Sequence, residues 1–393
     1  MTKVIDDEAE LAKITRDDFD RCIDFIVGEC NEIQPLLKDT WVGYDDNTWV
    51  GRASGPAAMA LKSRALLYAA SKLHNPDNDK EKWYEAAKAA HDVIALGKYS
   101  LSSDYKGLFL LGEGAESRSP EVIFAVQGWN DNSYEKANYP IGYDQGGLNC
   151  TCPSQNLVDA YEMKATGKNI WEMGSGYDSA NPYAGRDPRL AMSILVNNTS
   201  FKGRPVECWV GGIDGYGREN ATTTGYYIRK YVNENLDLTQ NQTSVHAWIL
   251  FRYAEILLNY AEALNEYLGP ESKGEFTMTA KAAVDAVRTR VGVGLPILPP
   301  GLTQDEMRAR IYNERRVELA FEEHRFFDVR RWKIAEQTEN EPIMGMRISK
   351  EGDGSFSYRA VMQEDRVFRD YMYLYPIPEA EVHKGAIEQN PGW

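Results

Sequence analysis

Trp248-Ile-Leu-Phe-Arg-Tyr-Ala-Glu-Ile-Leu-Leu-Asn-Tyr-Ala-Glu-Ala-Leu-Asn-Glu266 is the stretch that decides the fold. Its polar residues Arg252, Glu255, Asn259, Glu262 and Glu266 recur every three or four positions, which on a helix is one narrow stripe. Everything else in it is apolar or small, so the spacing predicts a helix over 248–267 that lies mostly buried. Further helices follow. One runs over 279–291, stopped by Gly292 and Gly294. Another opens at Thr303 with a capping box closed by Glu306 and reaches Phe321, and a last one covers 326–336. Upstream, residues 17–37 alternate charged and apolar at helical spacing. Residues 52–74 are rich in alanine (Ala57, Ala58, Ala60, Ala65, Ala69, Ala70), offering small faces for close helix approach. A further helix over 81–96 is capped by Gly97. Two helices joined by the turn at His74-Asn-Pro-Asp77 read as one tetratricopeptide-like hairpin.

Between these helical blocks the pattern changes. From Lys98 to Ala247 helical periodicity fades, and 17 of the chain's 32 glycines fall there. The segment reads as a loop-rich excursion with short strands at 122–126, 190–196 and 226–232. The fold class is therefore mainly α, with helical hairpins as scaffold. The organisation is one domain in four parts: helical hairpins over 17–97, the excursion over 98–247, helical hairpins over 248–340 and an irregular segment over 341–393.

The net charge of −15 argues against nucleic acid and anionic membrane surfaces as partners. It fits a neutral sugar, whose capture needs no electrostatic steering. The five cysteines form no metal or redox spacing and read as buried free thiols. The histidines form no H-x-H or H-E-x-x-H arrangement, so no metal site is expected. No cofactor is expected either, although loop Asp and Asn residues could hold structural calcium without an EF-hand ladder. In Asn313 to Trp332, the acids Glu314, Glu318, Glu322 and Asp328 interleave with Arg315, Arg316, Arg325, Arg330 and Arg331. A catalytic acid pair with arginine clamps is one reading. A semi-buried ion-pair network stapling helices is the favoured one, because the charges compensate and leave no carboxylate isolated.

Aromatics carry the functional signal. Of 32 Trp and Tyr residues, 13 lie between Trp129 and Tyr231, and several sit among Gly, Asn, Asp and Ser rather than in apolar runs. A flat aromatic face stacks on the polarised C–H face of a sugar ring while neighbouring amides and carboxylates bond the hydroxyls. Candidate glycan-binding residues are Trp129, Tyr134, Tyr143, Trp171, Tyr177, Trp209 and Tyr216. Tyr226, Tyr227 and Tyr231, in a strand-like run, read as structural. No catalytic residue is assigned.

Several segments together resemble the RagB/SusD family of surface glycan-binding lipoproteins: the helix at 248–266, Ala283 to Gly292, the arginine-rich run from Ile311 to Trp332, Tyr373-Leu-Tyr-Pro-Ile-Pro378 and Gln389-Asn-Pro-Gly-Trp393. Glu121 to Val126, Asp187-Pro-Arg-Leu190 and Thr224 to Tyr231 add to it. The resemblance implies a SusD-like α-α superhelix bearing an excursion, with no catalysis. It also implies an outer-membrane lipoprotein that delivers polysaccharide or oligosaccharide to a SusC-like TonB-dependent transporter. Residues 1–10 lack a signal peptide and no cysteine follows an apolar run, so the expectation is an N-terminally truncated chain without its lipid anchor. The rival expectations are a glycoside hydrolase or polysaccharide lyase, and a helical-repeat adaptor for a protein partner.

Overall fold

The computed structural model describes residues 7, 15–41, 50–112, 119–143, 147–148, 151–384 and 387–393. The longer elements are α1 (Phe19–Ile33), α2 (Gly55–Ala70), α3 (Lys80–Ala95), β1 (Val122–Asp131), β2 (Ser244–Arg252), α4 (Tyr253–Leu268), α5 (Ala280–Thr289), α6 (Gln304–Glu318), α7 (His324–Arg331), β3 (Ile343–Lys350) and β4 (Phe356–Glu364). Local chemistry sets the helix starts. Ser54 caps α2 with Pro56 in its first turn, and Thr279 caps α5. Thr303 and Glu306 form the expected capping box on α6. The residue after α3, Leu96, is followed by Gly97 at φ +63°, a left-handed stop that suits glycine. No helix among the described residues is long and apolar enough to cross a membrane.

The mainly-α scaffold is as read from the sequence. Helix α4 is its axis, and it packs against α2, α3, α5 and α6. Ala60, Leu67, Ala86, Ala87, Ala90, Leu257, Leu258, Ala261, Val284 and Ile311 build this core. The small alanine faces let the helices approach closely. A second core lies under the excursion and is aromatic: Tyr139, Tyr143, Tyr161, Phe201, Tyr226 and Tyr227 join Leu190, Ile194, Ile228, Met346 and Ile348. Tyr226, Tyr227 and Tyr231 are thus structural.

Three expectations are corrected. Trp248 does not open a helix: residues 244–252 are a strand antiparallel to β1, pairing Ala125 with Ile249 and Gln127 with Ala247. Ala247, Ile249 and Phe251 point inward with period two, and Arg252 marks the switch to helix. The 190–196 run is mostly a short helix, Pro188–Ser193, because Asp187 caps it and Pro188 suits the first turn. The C-terminal segment is not irregular throughout, since β3 and β4 form a hairpin. Of the thiols, Cys30 and Cys208 are buried but Cys22 is exposed; Cys150 lies outside the described residues.

The charged run folds into a buried ion-pair network. Arg189, Arg252 and Arg290 all donate to the Glu318 carboxylate, the first two at 2.7 and 2.6 Å. Arg252 also reaches Glu121 at 2.7 Å and Glu322 at 2.6 Å, while Arg189 reaches Asp187 and Glu314. Lys230 closes the network on Glu322 at 2.7 Å. The polar stripe of α4 takes part from the other side. Glu255 accepts from Arg64, Glu262 from Arg331 and Trp332, Glu266 from Arg308, and Asn259 from Arg315. Burial opposes ionisation, but Arg290, Arg252 and Arg189 together hold Glu318 well below the usual carboxylate range.

Two predictions follow from this chemistry. Glu318→Ala takes one carboxylate from each of three buried guanidiniums and lowers unfolding stability by about 3–5 kcal/mol, read as a lower urea midpoint. An unchanged midpoint would show the network to be energetically idle. The second concerns acid. Burial lowers His324 to about 4, against the pull of Glu255 and with Arg64 and Arg315 adding to the shift. Against burial, Arg64 and His324 hold Glu255 at about 2. Both folded values lie below their unfolded ones of about 6.5 and 4.3. The unfolded chain therefore takes up protons first, and stability falls as pH drops, from 6.5 for His324 and from 4.3 for Glu255. His324→Gln should flatten the upper part of that fall in urea titrations run from pH 7 to 4.

Candidate functional site

The expected rings separate into distinct settings. Trp171 is 71% exposed, on a loop that its own polar groups make rigid. Asn169 Oδ1 accepts from the Trp171 N–H at 3.0 Å, and the Asn169 N–H donates to Glu172 Oε1 at 3.0 Å. Thr166 Oγ1 donates to the Ser175 carbonyl, and buried Ser175 donates to the Ile170 carbonyl. Met163 bridges to both Lys168 and Arg186, closing the loop base. Tyr177 meets Trp171 edge-on, with ring centres 5.8 Å apart, and the Arg186 guanidinium lies 5.6 Å from the Tyr177 ring. Met173 beside them is also exposed.

Next to this pair is an open cleft of about 380 Å³, bordered by Asn169, Glu172, Glu306, Arg310 and Asn313. Arg310 joins Glu172 at 3.1 Å to Glu162 at 3.2 Å. For Glu172, burial is outweighed by the Asn169 N–H and Arg310, which lower its pKa; the Thr303 bonds lower Glu306. Burial raises Glu162, yet its oxygens accept from Arg288 and Arg310. The cleft thus presents charged acceptors and donors; it shares Asn169 and Glu172 with the Trp171 loop, while the Trp171 and Tyr177 rings do not line it. Each cleft carboxylate is bonded, Glu162 to Arg288 and Arg310, Glu172 to Arg310 and Glu306 to Thr303.

A second setting holds Trp209 and Tyr216 on the loop 207–217. Buried Asp214 organises it, accepting from Arg204 at 2.8 Å and from the Gly142 and Glu207 N–H groups at 2.9 Å. The turn also needs Gly215: a Cβ there would lie 1.8 Å from the Trp209 carbonyl oxygen. The Val210 N–H donates to the Ile348 carbonyl at 2.9 Å, which lays the loop along the outer edge of β3. Arg347 then sits 4.3 Å over the Tyr216 ring and Lys350 5.1 Å over the Trp209 ring.

Tyr134 is half-buried with its hydroxyl on the Lys230 carbonyl. With Trp248 it lines two clefts of about 360 and 190 Å³. Trp248 stacks on Tyr231 at 4.5 Å and was missed in the sequence because its apolar run reads as a helix start. Its one available signal was a Trp among residues alternating in burial. Tyr143 is corrected: it is only 4% exposed, packed edge-on to Phe201, covered by the Arg204 guanidinium at 3.5 Å and bonded to the Arg204 carbonyl. Its ring has no face left for a ligand. Trp129 lies on β1, but its side chain falls outside the described residues. Among the described residues no cluster of three or more His, Cys, Asp or Glu is placed to hold a metal ion.

A model of the SusD family matches residues 120–393. Two SusD-like proteins of Formosa agariphila are 26% identical over 392 residues and 32% identical over 347 residues. These alignments cover 94% and 83% of this chain, which spans 69% and 58% of their lengths. Among solved structures, a SusD-like protein of Bacteroides fragilis superposes with a TM-score of 0.78 at 28% identity, covering 97% of this chain and 73% of that one. A SusD-like carbohydrate-binding protein of the same organism gives 0.77 at 25%, covering 96% and 72%.

The two extremes of exposure separate binding from packing. Trp171→Ala should leave the urea midpoint within about 0.5 kcal/mol of the parent, whereas Tyr143→Ala should cost about 3–5 kcal/mol. Equal losses would refute the assignment of Trp171 as a free face.

Proposed function

We propose a function for this chain from one premise: it belongs to the SusD family. The protein binds oligosaccharides or polysaccharides at the bacterial cell surface without transforming them. It hands them to a SusC-like TonB-dependent transporter in the outer membrane. The observation that carries the binding half is Trp171, an exposed ring held by a self-bonded loop, with Tyr177 against its edge and a polar cleft at its side. Sugar rings stack on the indole, and Asn169, Glu172, Arg310 and Asn313 take the hydroxyls. Because the loop is already ordered, little conformational freedom is lost on binding. One such site gives weak affinity, about the millimolar to micromolar range. Repeated sugars along a polymer then raise retention through local concentration.

One Bacteroides fragilis neighbour is a SusD-like carbohydrate-binding protein, which supports the ligand class. The non-catalytic reading is supported by the arginine-paired and low-pKa acids around the cleft. Affinity electrophoresis through gels carrying starch, β-glucan, xylan, mannan or acidic polysaccharides tests the reading. At least one polymer should retard the parent, and Trp171→Ala should weaken that retention by about tenfold. Release of reducing sugar from any polymer in the panel, lost on changing a cleft acid, would replace this reading with a hydrolase.

A further inference from the structure

The hairpin β3–β4 carries cations that the rest of the fold leaves unmatched. Its register places Arg347 directly opposite Arg359. Like charges across a strand pair repel, so such a pair is unfavourable unless something neutralises it. Among the described residues neither side chain makes an ion pair or hydrogen bond, and Arg347 Nε is buried without an acceptor. Lys350, at the end of β3, is also without an anionic partner there. Elsewhere many core arginines are bound to carboxylate, and others, such as buried Arg186, donate to backbone carbonyls, in a chain with 59 acids against 44 bases. What sets Arg347 apart is a like charge directly across the strand pair together with an Nε buried without an acceptor.

The same cations are held against aromatic rings. Arg347 is stacked over Tyr216 and Lys350 over Trp209, on a loop fixed to the β3 edge by Val210. A stacked guanidinium has its in-plane N–H groups free to point at an incoming anion, and it binds carboxylates and sulfates in a forked geometry. Tyr216 is partly open beside it. Aromatic face and forked cation together match a sugar ring bearing a negative group. They do not match a neutral ring, which leaves the arginines unpaired, or a bare polyanion, which leaves the rings unused.

We propose that this face binds acidic glycan, with Arg347 and Arg359 on its carboxylate or sulfate groups and Tyr216 on its ring. The proposal rests on the glycan-binding reading above and narrows its ligand class. The net charge of −15 sets the long-range field, but screening confines it to a Debye length of about 8–10 Å, so the local Arg347–Arg359 pair can still attract an anion at contact.

The test is affinity electrophoresis of the full chain in gels of polygalacturonate (carboxylate), chondroitin sulfate (sulfate and carboxylate), xylan and mannan (both neutral), and polyglutamate (charge without sugar). We expect retention by an acidic polysaccharide that weakens with added salt, and the two acidic polymers tell carboxylate from sulfate preference. Arg347→Gln with Arg359→Gln should weaken it by about tenfold to a hundredfold. The charge-matched control, Lys273→Gln with Arg369→Gln, should not. Tyr216→Ala, whose fold is checked by circular dichroism, should weaken retention by acidic polysaccharide and leave polyglutamate unaffected. Retention by neutral polymers alone, indifferent to the arginine changes, overturns the acidic preference and leaves glycan binding standing. Equal retention by polyglutamate, indifferent to Tyr216→Ala, overturns it as unspecific charge. Retention by no polysaccharide overturns both readings.

Discussion

Glu318 accepts from three arginines at once, and the rest of the molecule is arranged so that it can. Arg189 comes from the excursion, Arg252 from the junction of β2 and α4, and Arg290 from the end of α5. Each brings further acids with it: Asp187, Glu121, Glu322 and Glu314. Burying such charges costs several kcal/mol per ion before attraction returns it, so apolar residues could fill the space at no loss. What the network imposes is geometry. Forked donors and acceptors fit in one arrangement, whereas alanines and leucines of the neighbouring core tolerate small shifts. The core under the excursion is largely its own, and the Arg189, Lys230 and Tyr105 bonds to α6 and the turn after it help fix its position on the scaffold.

How much of this was legible follows from the range of the interactions involved. The α4 stripe, the capping box and the pairing of the arginine-rich run depend on spacing within a few residues, and they read correctly. The strand at 244–252 did not, because Trp248-Ile-Leu-Phe251 is an uninterrupted apolar run that suits a buried strand or a buried helix equally. Its partner Val122 to Val126 decides the matter from more than a hundred residues away. The same holds at the site. Trp171 and Tyr143 sit in similar Gly- and Asn-rich surroundings, yet one is open and the other lies under Arg204 and against Phe201. Neither partner is adjacent in sequence. The juxtaposition of Arg347 with Arg359 is visible only after the hairpin register is known.

The two exposed aromatic settings differ in the chemistry around them. Beside Trp171 the acids are paired, with Arg310 shared between Glu162 and Glu172. Beside Tyr216, Arg347 and Arg359 make no ion pair among the described residues. A surface built this way can treat neutral and acidic portions of one heterogeneous polymer at separate places, each by a ring and a matched rim. Rigid loops underlie both, one closed by Asn169 and Ser175 and the other by Asp214 and Gly215.

The dispersal of the Glu318 network along the chain has a consequence for how the protein is made. Its members span Glu121 to Glu322, and the arginines at 189, 252 and 290 have no full complement of acids until α6 and the turn after it exist. A nascent chain emerging from its N-terminus therefore carries unmatched guanidiniums through most of its synthesis, and the excursion cannot settle early. Helical repeats ordinarily fold by adding units to a finished neighbour. Here the last third of the chain completes the first two, so the protein acquires its form as a whole and late.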